Sequence, residues 1–151
     1  TTQVQGLVAA QLNGVSSASL NAIAVASLST MQMAGLGATA VGDLTTTQVG
    51  ALTGAQVGAL STTGIGGLTT TDLDALTATQ AAALTPFQIA SLTVTSFTAL
   101  TSTTGIPALS ALAIAGISVA KIEAMTTAQR NAFTTTQTAA MMPEQLYALL
   151  T

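Results

Sequence analysis

The feature that most constrains this chain is a leucine at every eighth position. Leu28, Leu36, Leu44, Leu52, Leu60, Leu68, Leu76, Leu84, Leu92 and Leu100 follow one another without a miss. One extra residue between Thr101 and Ala108 shifts the phase, after which Leu109, Ile117, Met125, Phe133, Met141 and Leu149 resume the spacing. Upstream, Leu12 and Leu20 fit the same row, while Leu7, Val15, Ile23 and Met31 offer a competing phase. A fixed period over most of a chain marks a repeat architecture, in which no unit buries its apolar face alone and each stacks on its neighbours. The sequence therefore reads as one repeat domain over residues 1–151, with a candidate seam at 101–109 where the insertion falls.

The period excludes a single long helix. Eight residues at about 100° each turn through roughly 800°, so a leucine row would drift about 80° per repeat and leave no fixed apolar face. Many short helices remain. The clearest copies, Leu44-Thr-Thr-Thr-Gln-Val-Gly-Ala51 and Leu52-Thr-Gly-Ala-Gln-Val-Gly-Ala59, give the pattern L-T-x-x-Q-V-x-A. A Thr followed three residues later by Gln is a capping box: the hydroxyl accepts from a first-turn N–H, and the Gln side chain reaches back to the cap's own N–H. Thr45 with Gln48, Thr53 with Gln56, Thr77 with Gln80, Thr85 with Gln88, Thr126 with Gln129 and Thr134 with Gln137 fit it. Leu44 before the cap and Val49 after it have the spacing of a hydrophobic staple, and Pro86 and Pro143 sit where a first helical residue has no use for its N–H. The expectation is an all-α solenoid, with one capped helix of about six or seven residues per octad, too short to persist without its neighbours. A β-solenoid is the alternative, since Thr, Val and Ile favour strands. The Ala, Gln and Leu content, the cap spacing and the absence of period-two alternation count against it.

Departures from the pattern mark special places. Gly64 to Gly67 and Thr103 to Pro107 lack good helix formers and read as loops or kinks. Arg130 and Thr138 replace the usual aliphatic residue, the expected behaviour of a solvent-facing terminal cap. The apolar run Ile106 to Ala120 is short of the roughly 20 residues a membrane span needs and keeps the octad, so it reads as core. Asp72 and Asp74 form the one close carboxylate pair, but two carboxylates are few for calcium, and Asp72 simply takes the Gln position of its capping box. The methionines read mostly as core filler.

Composition then narrows function. The chain has no His, Cys or Trp, and charged residues make up 5% of it, against roughly a quarter in an average domain. A zinc site, a thiol nucleophile and a His-based triad are excluded. No Lys or Arg precedes Lys121 and the net charge is −3, so nucleic acid is not an expected partner. No catalytic residue, cofactor or metal is expected, and the chain reads as a non-enzyme. The N-terminal Thr1-Thr2-Gln3-Val4 lacks the look of a signal peptide and opens part-way through an octad, while Leu149-Leu150-Thr151 stops just after opening one.

Runs such as Leu44 to Leu60 resemble the Leu-Thr-Thr-x-Gln-Val-x-Ala-Leu repeats of large secreted or surface-associated bacterial proteins. The resemblance covers residues 28 to 100 well and the flanks loosely, and implies an extracellular structural or adhesive role. Exposed, weakly charged ends add the expectation of self-assembly: a filament or surface layer of stacked copies, or a spacer of further octads. Two other readings stand beside it. One is a partner-binding or adhesion face, for which Tyr147, Phe87, Phe97 and Phe133 are the whole aromatic supply. The other is an ice- or surface-binding array of the Thr tracts 45–47, 69–71 and 134–136, which a β-solenoid would set in flat ranks, whereas helix capping engages many of the hydroxyls.

Overall fold

The computed structural model describes Val4 and residues 6–151. The opening residues Thr1 to Gln3 lie outside them. The described residues fold into sixteen short α-helices and two 3-10 helices, with no strand among them, and the β-solenoid alternative falls. The helices are shorter than the sequence suggests. Most have four to six residues, and only Pro143–Leu150 reaches eight. The reason lies at the corners. After Thr46–Ala51 the chain extends at Leu52 (φ −66°, ψ 141°) and again at the next cap, Thr53 (φ −73°, ψ 158°). Two extended residues per octad leave at most six for the helix, and where an alanine such as Ala83 closes the last turn, five remain.

From Val25–Ser27 onward the main packing is of each helix on the one three places further along the chain, whereas Ala9–Gly14 meets Ala38–Gly42, four places on. Thr30–Ala34 meets Gly54–Ala59, which meets Ala78–Ala82, which meets Gly105–Ala108. The same step links Ala38–Gly42 to Thr62–Ile65, Pro86–Ser91 and the 3-10 helix Ala113–Gly116, and links Thr46–Ala51 to Thr70–Asp74, Val94–Thr98, Val119–Glu123 and Pro143–Leu150. One coil of the solenoid thus takes three octads, and its helices stand in three columns. Helices this short lie below the length at which a helix holds together in water, so the stacking supplies their stability.

The core fills from two positions of each octad. The leading residues Leu28 through Leu100 in the row above are all 5% exposed or less, and so are Val49, Val57, Ile65, Leu73, Ala81, Ile89 and Phe97 five places on. Ile106, Leu109, Ala113, Ile114 and Ile117 continue the core through the apolar run, and no helix among the described residues is long and apolar enough to cross a membrane. The methionines divide: Met33 and Met125 are buried, whereas Met31 is 83% exposed. Met141 packs half-buried against the core and Met142 is 46% exposed, so the filler reading holds for Met33, Met125 and Met141 and is corrected for Met31 and Met142.

Two phase changes are absorbed at corners. Upstream the competing phase prevails, because Leu7, Val15 and Ile23 precede the caps Val8, Ser16 and Ala24, which leaves Leu12 and Leu20 at the second core position. The repeat from Ile23 to Ser27 has five residues, closed by the 3-10 helix Val25–Ser27, and Leu28 then restarts the register. At the insertion, Thr101 Oγ1 accepts from the N–H groups of Thr104 and Gly105 at 3.1 and 2.9 Å, and the helix starts late, at Gly105.

The glycine segment 64–67 divides: Gly64 and Ile65 close a helix, and Gly66 and Gly67 form the turn that its composition suggests. Ser61 caps a helix Thr62–Ile65, with Gly64 in the Gln position. No described residue needs a positive φ. A Cβ on Gly64 would lie 2.9 Å from the Leu36 carbonyl oxygen, and one on Gly67 would collide with that of Ala38. These glycines let adjacent coils touch backbone to backbone.

Candidate functional site: the inter-coil glutamine ladder and the two end faces

The capping glutamines do more than close their own helices. In Gln80, Oε1 accepts from the Thr77 N–H at 2.9 Å while Nε2 donates to the carbonyls of Val49 at 2.8 Å and Leu52 at 2.9 Å, one coil earlier. Gln56, Gln88, Gln137 and Gln145 repeat this, donating to residues 31 and 28 places earlier. Each is buried. One amide thus uses its acceptor on the helix start and its two donors on a corner of the preceding coil. At the corner the extended Leu52 has a carbonyl with no intrahelical partner, while the Val49 carbonyl, which already takes the Leu52 N–H, accepts a second bond.

The offsets follow the irregular repeats. Gln32 and Gln48, which reach across the five-residue repeat, find carbonyls 28 and 25 places earlier. Gln129, across the insertion, finds Leu100 at 29 places. The ladder therefore counts corners rather than residues.

Substitutions at the ladder position are informative. Lys121 sits where a Gln is expected, under the Ser118 cap, and its Nζ donates to Ile89 and Ala90 carbonyls at 2.8 and 3.0 Å. Its donors replace those of the amide, and burial pushes the ammonium below its usual 10.5. Asp72 has only acceptors. Its Oδ2 takes the N–H and hydroxyl of Thr69, and its Oδ1 takes the Thr46 hydroxyl at 2.8 Å from the coil below. Asp72 is buried and Asp74 exposed, so the two carboxylates do not converge. No group of three metal-ligating side chains exists among the described residues.

The predicted residues fall as follows. Leu28 through Leu100 form one core row, and Thr45, Thr53 and Thr85 accept from Gln48, Gln56 and Gln88 N–H groups while those side chains return the bond. The signal in the sequence did not reveal the second half of each Gln, nor Lys121 as its stand-in, although Lys121 occupies the same octad position.

The two ends differ in character. Around the first described turn, Leu7, Val8, Ala9 and Met31 line an open groove of about 280 Å³. Val8 is 60% exposed. On its rim Gln11 Oε1 accepts from the Val8 N–H at 2.9 Å, and Nε2 meets no acceptor among the described residues. At the other end, no described side chain donates to the carbonyls of Arg130, Phe133, Thr138 or Met141, the corner positions that a following coil would claim. Arg130 and Thr138 are half-buried. Beside them the last helix exposes Leu146, Tyr147 and Leu150. On the flank, Thr47, Thr71 and Thr95 hold the same place on three directly stacked helices and are all exposed.

Among known proteins, the ALTTAQ repeat family matches residues 25–62, a segment of 38 of the 151 residues. Its six letters correspond, with Gly54 for the second Thr, to Ala51–Gln56: the core leucine, the cap and the ladder glutamine. No curated protein and no solved structure matches the chain.

Proposed function

We propose that this chain is a structural repeat protein that self-assembles into, or forms a spacer of, an extracellular filament or surface layer of a bacterium, and that it performs no catalysis. The observation that carries the reading is the ladder. Its buried amides link each coil to the one before by one repeated contact, from the first described coil to the last. A stack held together by one repeated contact is suited to structural extension, by a second copy or by further octads. The location rests on the resemblance to repeats of secreted and surface-associated bacterial proteins. Few ionisable side chains remain for acid or base work, which supports a role without chemistry. Negative-stain electron microscopy of the purified chain tests the reading: rods, filaments or sheets of constant width support it, and compact globules that neither lengthen nor associate count against it.

A second reading has one observation in its favour. Thr47, Thr71 and Thr95 make no side-chain hydrogen bond in the fold, so their hydroxyls and methyls form a regular row open to a surface. If that row binds ice, the chain shows thermal hysteresis that Thr71→Lys removes; equal freezing behaviour of both proteins eliminates this reading.

A further inference from the structure

The helix Ala38–Gly42 has no ladder glutamine of its own. At the third helical position, Gln32 in the helix before it reaches back to Val4 and Leu7, and Gln48 in the helix after it to Leu20 and Ile23, but Ala40 holds that position here. The bonds come instead from the helix it packs on. Asn13 Oδ1 accepts from the Gly37 N–H at 2.9 Å, as Gln80 Oε1 does from Thr77, and Asn13 Nδ2 donates to the Gly35 carbonyl at 2.9 Å. One carboxamide thus ties Ala9–Gly14 to both sides of the Leu36 corner. The residue after it is Gly14, and no other asparagine of the chain precedes a glycine: Asn21 and Asn131 precede alanines.

We propose that Asn13 is a deamidation site that the fold holds shut, and that parting of Ala9–Gly14 from Ala38–Gly42 releases. In an Asn-Gly pair the backbone nitrogen reaches the carboxamide most easily, because glycine turns freely and has no Cβ in the way. The Gly14 nitrogen bonds to Asn13 Cγ, the Cγ–Nδ2 bond breaks, and ammonia leaves with the proton that Gly14 gives up. Water then opens the succinimide ring at one carbonyl or the other, giving aspartate or isoaspartate. In the closed fold neither reacting group is free to move. Asn13 and Gly14 lie in the hydrogen-bonded turns of the helix, and both ends of the carboxamide are engaged. Space is not the restraint, since a Cβ built on Gly14 would meet nothing within 4 Å. The product does not restore the contact. A carboxylate keeps an acceptor for the Gly37 N–H but turns a second acceptor toward the Gly35 carbonyl, and isoaspartate also adds a methylene to the backbone. The reaction therefore makes a passing separation of the two helices permanent.

Peptide mapping by mass spectrometry on the full chain, incubated at mildly alkaline pH, tests the site. In urea Asn13 should convert while Asn21 and Asn131 lag, and Gly14→Ala should bring Asn13 down to their rate. In the folded chain Asn13 should convert at least about tenfold more slowly than in urea, because reaction passes only through the open fraction. Leu20→Ala, which removes a buried side chain from the adjoining helix Ser17–Asn21, should convert faster than the folded parent. Equal rates for the folded and urea-unfolded parent overturn the proposal, and so does a Leu20→Ala rate no higher than the parent's. The consequence is read separately on Asn13→Asp, which carries the aspartate product. Hydrogen exchange should quicken across residues 9–14 and stay as in the parent at Thr70–Asp74; unchanged exchange across 9–14 would show that the amide ties nothing, and would overturn the proposal as well.

Discussion

Replacing Gln80 by Ala isolates the ladder in one side chain. The substitution removes the bond that closes the Thr77 cap and the two bonds to Val49 and Leu52 carbonyls, all at 2.9 Å or shorter. Gln80 is 1% exposed, so water cannot replace those partners without opening the coil interface. With a net ~1 kcal/mol per bond and the further cost of leaving the Leu52 carbonyl without a donor, while Val49 keeps the Leu52 N–H, the loss should be about 3–5 kcal/mol. The control is Gln11→Ala, whose exposed side chain makes the single bond to the Val8 N–H and should cost no more than about 1 kcal/mol. Urea unfolding followed at 222 nm gives the global change. Amide exchange at Thr77 reads the site itself, because that N–H donates to the amide removed and should exchange far faster in the variant. A further variant separates the two halves of the bond set. Gln80→Lys keeps donors for the carbonyls, as Lys121 does, and gives up the acceptor at the cap, so it should fall between parent and alanine. The reasoning is refuted if Gln80→Ala costs no more than Gln11→Ala, or if Thr77 exchange is unchanged.

Other perturbations have equally definite outcomes. Gly67→Ala should cost about 1–3 kcal/mol by forcing its coil off the Ala38 carbonyl, whereas Gly50→Ala, in a helix with open space around it, should stabilise by about 0.5–1 kcal/mol; thermal unfolding of the pair checks the opposite signs. Leu52→Asp places an unpaired charge on the core row and should cost at least ~4 kcal/mol in the same melts. Lys121 gives a pH signature. Its folded value lies below 10.5, so between the two values the unfolded chain holds more protons, and stability rises with pH through that window and is flat below it. Lys121→Gln should supply the ladder amide, raise stability at neutral pH and remove that rise; urea midpoints measured across the alkaline range would show it.

What the sequence made legible was whatever is local. The Thr-to-Gln spacing joins groups three residues apart, so the caps at Thr45, Thr53 and Thr85 could be read from the chain, as could the leucine row. What remained hidden depends on residues a coil away. The partner of Gln80 Nε2 lies 28 and 31 residues back, and no octad pattern states how many repeats make a turn. Gly64 looked like a loop because propensity is judged from neighbours in sequence, whereas its reason is the Leu36 carbonyl. Helix length was overestimated at the corners, where both the core residue and the next cap must be extended. Upstream, two rows of apolar residues competed, and only the five-residue repeat at Ile23 to Ser27 decides between them.

The three-helix coil has a consequence for how such chains change length. Gain or loss of one octad moves everything after it by a third of a revolution, so the Thr47, Thr71 and Thr95 row would break and resume on another flank. Gain or loss of three octads restores the original facing and only lengthens the rod. Small slips are of another kind: the five-residue repeat and the single inserted residue each still fill one corner and leave the angular order untouched. Duplication of single repeats therefore acts as a rotary adjustment of which flank a feature occupies, and duplication in threes as a linear one.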